Sequence, residues 1–441
     1  MRRRLAPHLE ELEGRDLPSR VGIGIQYLLQ PIAGPASKVP STTTKGPDGS
    51  IYYRYGNQTA AAPLPSAMPG GLALEGGGTD INLLYQWMAA RADNVDATVS
   101  NNALNPLPTT PTYKGDFLVL GTLKDDSYDS YIYNLAVQAG VPLNSVATFD
   151  IPSISAANSS FVTSKIESAA AIFIMGGDQS TYVNDWQGTA VQAALDGAAA
   201  GGVPIGGTSA GANVLSQLIY SAEDTSGAVS SDVLANPYSS EISLDRNFLS
   251  VPSLSRSQPV AAQPALPYLE NTIVDPHFFE RDRMGRTVTF LARLVEDPQW
   301  TPPSSPGGPT PLPGTMAIGI DQSTALLIDT VTNTLTRAGD ATVIGNSSTN
   351  HLYFLTTTGT PPTLQSGTTN TLAAPLSWGT QQKPAIQVYR ATVGDNLTAA
   401  LDKHTQTVAW STTTTCPLDA SYMLWVTNGT VNTSQTNGAI Y

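Results

Sequence analysis

A serine lies between two glycines in Gly207-Thr208-Ser209-Ala210-Gly211, which follows the apolar run Gly202-Val203-Pro204-Ile205-Gly206. The residues after it, Ala212-Asn213-Val214-Leu215-Ser216-Gln217-Leu218-Ile219, predict a helix. A strand-to-helix turn of this kind is a nucleophile elbow. Its small flanking residues allow a tight turn that lifts the hydroxyl clear of the backbone, and the following helix N-terminus offers N–H groups to an oxyanion. In a chain with 38 glycines the pentapeptide alone fits an ordinary Gly-rich loop equally well. The strand before it and the helix after it tip the reading toward chemistry.

A serine nucleophile needs a base, and the chain has only four histidines. His8 lies near the start, His351 begins an expected surface strand, and His404 sits in the polar Asp402-Lys403-His404-Thr405. His277 follows the apolar Thr272-Ile273-Val274 and opens a segment dense in charge, Asp275-Pro276-His277-Phe278-Phe279-Glu280-Arg281-Asp282-Arg283-Met284-Gly285-Arg286. A lone histidine at a strand end is more often structural, but this charge density makes His277 the candidate base. Arg281 and Arg283 point the same way if extended, and Arg286 follows Arg283 by about one helical turn. Such a set can hold carboxylates through bidentate contacts, or can pair internally at a solvated helix start.

The elements that must position these groups are legible as apolar runs ending in glycine. Strands are expected at 72–75, 116–122, 146–151, 170–175 and 202–206, with helices at 80–91, 127–139, 162–169 and 181–200 between them. That alternation indicates a parallel sheet covered on both faces, with its ligand-binding edge at the carboxyl ends of the strands. The loops holding Gly176-Gly177-Asp178-Gln179 and Ser209 fall on consecutive strands at that edge. Gly76-Gly77-Gly78 lacks a dinucleotide fingerprint's spacing and reads as a tight strand-to-helix turn.

Later elements are a strand at 272–274, a helix at 283–296 and strands at 317–321, 325–328, 351–355 and 422–426, with a Pro-rich loop at 301–313. Residues 1–68 read as a leader and a Pro/Gly/Ser/Thr-rich linker with one strand near 20–29. Residues 69–330 read as the catalytic α/β domain, and 331–441 as a β-rich extension.

Bulk properties narrow the function classes. The 441 residues are 41% hydrophobic, enough for a large core, and no run is apolar enough for a transmembrane helix. A net charge of −13 disfavours nucleic acid or anionic membrane as the main partner. The single cysteine, Cys416, excludes an intrachain disulfide or a Cys-based zinc site and reads as a small buried hydrophobe. Only 13% of residues are charged while Ser, Thr, Asn and Gln abound, which suits an extracytoplasmic protein. Leu9-Glu10-Glu11-Leu12-Glu13-Gly14-Arg15-Asp16-Leu17-Pro18-Ser19 resembles a leader found on many bacterial surface proteins.

Four ordered motifs together resemble cyanophycinases of peptidase family S51, which are related to dipeptidase E. They are Gly176-Gly177-Asp178-Gln179, Gly207-Thr208-Ser209-Ala210-Gly211-Ala212, Asp275-x-His277-Phe278-x-x-Arg281-x-Arg283-x-x-Arg286 and Gly319-Ile320-Asp321-x-x-Thr324-Ala325, spanning roughly residues 70–330. The resemblance implies a flavodoxin-like sheet of the glutamine-amidotransferase type, a homodimer, and no metal or organic cofactor. It implies a serine exopeptidase that releases β-Asp-Arg dipeptides from cyanophycin, an arginine-bearing polyaspartate. Carried over, Ser209 is the nucleophile, His277 the base, and the N–H groups of Gly177 and Ala210 form the oxyanion hole. Gln179, Asp275, Arg281, Arg283 and Arg286 match the substrate pocket.

Two positions depart from the family pattern. Pro276 stands where the family has Gln, and Gln322 stands where it has the third catalytic residue, a Glu. An amide can accept a hydrogen bond from imidazole but brings no charge, and in a chymotrypsin-like triad that change costs about 10⁴ in turnover. Asp321 or Asp275 is an alternative source of the carboxylate. The expected protein is a secreted or surface serine peptidase. A β-aspartyl or Asp-X dipeptidase, or a weakened paralogue that binds peptide or polymer, are the alternatives.

Overall fold

A computed structural model describes residues 39–223, 225–246, 269, 271–297, 315–330, 341–365, 367, 373–395, 397 and 420–441. The expected strand near 20–29, the Pro-rich loop at 301–313, and Cys416, His8 and His404 lie outside the described residues.

Two strands, β1 (Ser41–Lys45) and β2 (Ile51–Gly56), form an antiparallel hairpin. They correct the linker reading of this stretch, because β2 is hydrogen-bonded along its length to a strand of the main sheet. β3 (Leu72–Glu75), fully buried, leads through the Gly-rich turn into α1 (Asn82–Ala92). A short hairpin follows, β4 (Val99–Ser100) with β5 (Ala103–Leu104). Then come β6 (Asp116–Gly121), α2 (Ser127–Gln138), β7 (Ser145–Asp150), α3 (Ile154–Ala157), α4 (Ser160–Glu167) and β8 (Ala171–Ile174).

The single helix expected over 181–200 is instead two. α5 (Gln179–Trp186) and α6 (Ala190–Ala200) are separated at Gly188, whose φ of 75° cannot continue a right-handed helix. β9 (Ile205–Thr208) then ends at Ser209. The helix after the elbow is also shorter than expected. α7 (Ala210–Asn213) has four residues, and the apolar residues beyond it form β10 (Leu218–Tyr220) instead.

Further along are α8 (Ser230–Ala235), β11 (Leu244–Arg246), β12 (Thr272–Pro276), α9 (Met284–Glu296), β13 (Met316–Ile320) and β14 (Thr324–Ile328). The last strands are β15 (Ala341–Gly345), β16 (His351–Thr357), β17 (Pro362–Thr363), β18 (Ser377–Trp378), β19 (Ile386–Thr392), β20 (Ala420–Thr427) and β21 (Thr430–Thr433).

Besides the β4–β5 hairpin, these strands build two large sheets among the described residues. The first has the order β1-β2-β7-β6-β8-β9-β3-β14-β15, and β7-β6-β8-β9-β3 run parallel. This is the mostly parallel, helix-covered sheet expected from the glycine-ended strands. The second runs β11-β10-β12-β13-β16-β19-β20-β18-β17, with β21 beside β20; β10, β12 and β13 are parallel. One hydrophobic cluster packs the first sheet and takes in one face of the second, including Val274, Ile318 and Phe354; the other lies on the second sheet's opposite face, around α9. The strands expected as peripheral decoration therefore extend both sheets: β15 pairs with β14 in the first, and β16 with β13 in the second.

Candidate active site

Three segments meet where the two sheets adjoin. Ser209 leaves β9 of the first sheet and His277 leaves β12 of the second. Gln322 occupies the turn by which the chain crosses from β13 of the second sheet to β14 of the first.

Ser209 has φ 51° and ψ −117°, a conformation that L-residues rarely adopt. Such backbone strain is of order 1–3 kcal/mol and persists only where surrounding structure enforces it. The enforcement is visible. A Cβ on Gly211 would lie 2.0 Å from the Ile174 carbonyl oxygen, so only glycine lets α7 pack against the end of β8. The Ser209 N–H donates to the Glu75 carbonyl at 3.0 Å, and the Ser209 carbonyl accepts from Asn213 N–H at 3.0 Å.

His277 is also left-handed, with φ 49°. Its N–H donates to the Gly76 carbonyl at 2.9 Å, and Phe278 N–H donates to the Ile320 carbonyl at 3.0 Å. The ring lies 2.6 Å from Ser209, Nε2 to Oγ. On the other side Nδ1 is 2.9 Å from the Gln322 amide nitrogen. Burial, the nearby Arg283 and then Arg281 lower the imidazole pKa to about 2, so His277 is neutral at ordinary pH.

The Gln322 amide decides which ring nitrogen carries the proton. With its NH₂ toward Nδ1, the proton sits on Nε2 and the ring cannot accept from Ser209. With its carbonyl toward Nδ1–H, Nε2 is free to act as base. The Gln322 backbone is fixed from two sides: its N–H donates to Glu280 Oε2 at 3.0 Å, and its carbonyl accepts from Asn350 Nδ2 at 2.6 Å.

Neither alternative carboxylate replaces the missing acid. Asp275 Oδ2 accepts from Arg286 Nε at 2.9 Å and Thr287 Oγ1 at 2.6 Å, and Oδ1 takes Arg286 Nη2 and Arg283 Nη1. Burial alone would raise its pKa, but the two guanidinium groups hold it below the usual carboxylate value. Asp321 turns both oxygens to backbone donors, Phe279 N–H at 3.0 Å and His351 N–H at 2.9 Å. Burial and the nearby Glu280 raise its pKa to about 7.

The expected substrate contacts divide. Asp275 and Arg286, expected as substrate contacts, are 1% and 6% exposed and pair with each other, tying the His277 segment to α9. Arg283 donates inward to the Pro276 carbonyl at 2.6 Å and to Asp275, so its Nη1 is likewise committed to structure. Arg281 is exposed on the same loop, and Gln179 begins α5.

Gly177 and Ala210, expected as oxyanion donors, lie next to the Ser209 turn. A Cβ on Gly176 would stand 3.4 Å from Ser209 Cβ, so this turn packs on the elbow. The Tyr182 hydroxyl binds the Met175 and Gly176 carbonyls at 2.8 and 3.2 Å. In a planar trans peptide the Gly177 N–H then points away from Tyr182. Among the described residues neither Gly177 N–H nor Ala210 N–H has an acceptor.

One functional element escaped the sequence reading. Three consecutive carbonyls at the end of β3 each hold one of the three converging segments. Glu75 accepts from Ser209 N–H, Gly76 from His277 N–H, and Gly77 from Ser323 N–H at 2.7 Å. Gly77 has φ 84°, and a Cβ there would stand 2.4 Å from His277 Cε1, so the imidazole rests on bare backbone. The turn at 76–78 is thus a jig for the site as well as a connection.

Residues 125–234 match the model of peptidase family S51. The matched stretch runs from α2 into α8 and includes Ser209, while His277 and Gln322 lie beyond it. No curated protein matches the chain. Among solved structures, a peptidase from an acI-B1 Actinobacterium is 16% identical with a TM-score of 0.39, covering 65% of this chain and 91% of its own. A protein provisionally called peptidase E from Listeria monocytogenes EGD-e is 15% identical with a TM-score of 0.33, covering 64% of this chain and 100% of its own. No helix among the described residues is long and apolar enough to cross a membrane.

Proposed function

We propose that the chain is a serine peptidase of the cyanophycinase type, cleaving the peptide backbone of an arginine-bearing polyaspartate through an acyl-enzyme at Ser209. One observation carries the reading: a strained serine at a strand-to-helix turn with its Oγ 2.6 Å from an imidazole nitrogen. In the reaction His277 Nε2 takes the Ser209 proton as Oγ attacks the scissile carbonyl. The N–H groups of Ala210 and Gly177 receive the oxyanion, and the imidazolium then protonates the leaving amine. Water repeats the sequence to release the acyl group. Arg281 and Gln179 stand as the contacts for substrate carboxylate and amide groups, and polymeric cyanophycin, releasing β-Asp-Arg, is the substrate proposed.

The amide at Gln322 favours a slow version of this chemistry, or a surface paralogue that binds peptide or polymer. Three arginines lie near the imidazole, Asp275 offsets them only in part, and no carboxylate contacts the ring in place of the amide, so the imidazolium formed during attack is poorly stabilised. Release of β-Asp-Arg from cyanophycin and labelling by a fluorophosphonate probe test both readings. Wild type should react and Ser209→Ala should not. Gln322→Glu should react faster, by up to about 10⁴-fold if the amide costs what it does in a chymotrypsin-like triad. No reaction by any of the three rejects the hydrolase and leaves the binding protein.

A further inference from the structure

Beneath the turn at 76–78 lie two carboxyl groups that the proposed reaction does not use. Glu75 is fully buried at the end of β3, directly opposite Thr208 in the β3–β9 register. Its Oε1 accepts from Ile81 N–H at 2.9 Å, so the side chain spans the whole turn and cinches it to the start of α1. Its carboxyl also accepts from the Thr208 hydroxyl, next to the nucleophile. Asp80, at the far end of the same turn, accepts from the Tyr85 and Tyr128 hydroxyls, both at 3.1 Å to Oδ1.

The Tyr85 hydroxyl faces both carboxyls, since it is also 3.5 Å from Glu75 Oε2. A phenol has one proton to give. If it goes to Asp80, the phenol oxygen and Glu75 Oε2 confront each other as two acceptors unless Glu75 itself carries a proton. The surroundings offer no other relief. Thr208 of β9, Tyr85 of α1 and Tyr128 of α2 face the pair, with the Phe173 ring of β8 packed edge-on to Tyr85 at 5.1 Å. Among the described residues no cation hydrogen-bonds or ion-pairs with either carboxyl. Glu75 is fully buried and Asp80 half-buried, and two carboxylates facing one hydroxyl in such a place disfavour each other's ionisation.

We propose that Glu75 and Asp80 hold one proton between them across the Tyr85 hydroxyl, and that this acid pair positions the turn whose carbonyls hold Ser209 and His277. Glu75 is then a positioning residue, acting through Thr208 and through the turn at 76–78. The inference rests on the Ser209–His277 reading for its effect on rate, and on geometry alone for the shared proton. Burial and the neighbouring Asp80 raise the Glu75 pKa to about 8, so the pair loses its proton in mildly alkaline solution. Two like charges would then face one hydroxyl, and the turn would loosen beneath the imidazole.

The test compares full-length wild type, Glu75→Gln and Glu75→Ala. The first readout is the His277 ring resonance in histidine-labelled protein, followed from pH 6 to 10 and assigned with His277→Asn. In wild type it should shift with a midpoint about one unit above neutrality, and in Glu75→Gln it should not shift, because an uncharged amide has no proton to lose. The second readout is the pH profile of Ser209 labelling. Wild type should lose rate over the same interval and Glu75→Gln should not. At pH 7 glutamine should keep the rate within about threefold while alanine, leaving donors unmatched, loses tenfold or more. Identical resonance titrations in wild type and Glu75→Gln overturn the shared proton. A shift in the resonance without any difference in labelling profile overturns the positioning role. If wild type does not label at any pH, the serine reading fails, and the proposal stands or falls on the resonance.

Discussion

Two buried carboxyl centres flank the Ser209–His277 pair, and they are kept buried by opposite means. Asp275 lies near the end of β12, two residues before His277, and is gripped by Arg286, Arg283 and Thr287. Glu75 ends β3, its carbonyl holds the Ser209 N–H, and among the described residues its carboxyl faces hydroxyls, one N–H and another acid. The first is held ionised by neighbouring cations, and the second is held neutral by their absence. Both brace the same site, so the difference lies in what each brace contributes. An ion pair ties the base's segment to α9, whereas a neutral acid lets bare backbone carbonyls approach the imidazole without placing a second charge beneath it.

The comparison breaks first, and most visibly, on removal of charge. Asp275→Asn leaves Arg286 and Arg283 buried without a counter-charge. Stripping one partner from a buried pair costs about 3–5 kcal/mol. Glu75→Gln keeps the shape and the uncharged state, and should cost no more than about 1 kcal/mol. Urea unfolding of the two variants measures both. Equal losses would mean that Glu75 is ionised in the native protein and that the contrast is false.

Acid and base should then separate the two centres in opposite directions. The folded pKa of Asp275 is depressed below the usual aspartate value of 3.8. Its stabilising contribution is therefore complete above that value and disappears as pH falls through the folded pKa. The folded pKa of Glu75 is raised from 4.5 to about 8. Its contribution is complete below 4.5 and is lost as pH rises through about 8. A plot of Tm against pH should fall more steeply for wild type than for Glu75→Gln between those limits, by up to about 1.4 kcal/mol of stability per pH unit. Parallel curves there, with divergence only in acid, would assign both carboxyls to the ionised class.

Much of this arrangement is legible in the sequence, for reasons that also explain the rest. Glycine-ended apolar runs mark the buried parallel strands, because both faces of such a sheet are covered. β1 has no such mark: Ser41-Thr42-Thr43-Thr44-Lys45 is exposed at every position, so no alternation betrays it. The helix expected after Ser209 failed because a short apolar run fits a strand as well as a helix. Ser209, His277 and Gln322 could be named because their chemistry resides in side chains. The turn at 76–78 works through carbonyls, which every residue has, and only its glycines hint at a close approach. Asp275 and Arg286 were legible as charges near the base. Their mutual neutralisation depends on β12 and α9 lying side by side, which spacing alone does not specify.

The smallest expected effect tests a third carboxyl, which sharpens the contrast between the first two. Asp321 adjoins Gln322 and is the nearest sequence candidate for the missing acid, yet its oxygens serve Phe279 N–H and His351 N–H. It has backbone donors but no cation, so its raised pKa of about 7 falls between the two extremes. Asp321→Asn would turn an NH₂ toward one of those N–H groups and should cost about 1–2 kcal/mol of stability. Were Asp321 the acid of a triad, the same change would lower turnover by about 10⁴ at little cost in Tm. The geometry predicts the reverse, a lower Tm and Ser209 labelling within about threefold of wild type at pH 7, since the imidazole keeps its amide partner. A large loss of labelling at unchanged Tm would move the third role of the triad from Gln322 to Asp321. It would also show that a buried carboxyl can serve this site without any of the arginines that hold Asp275.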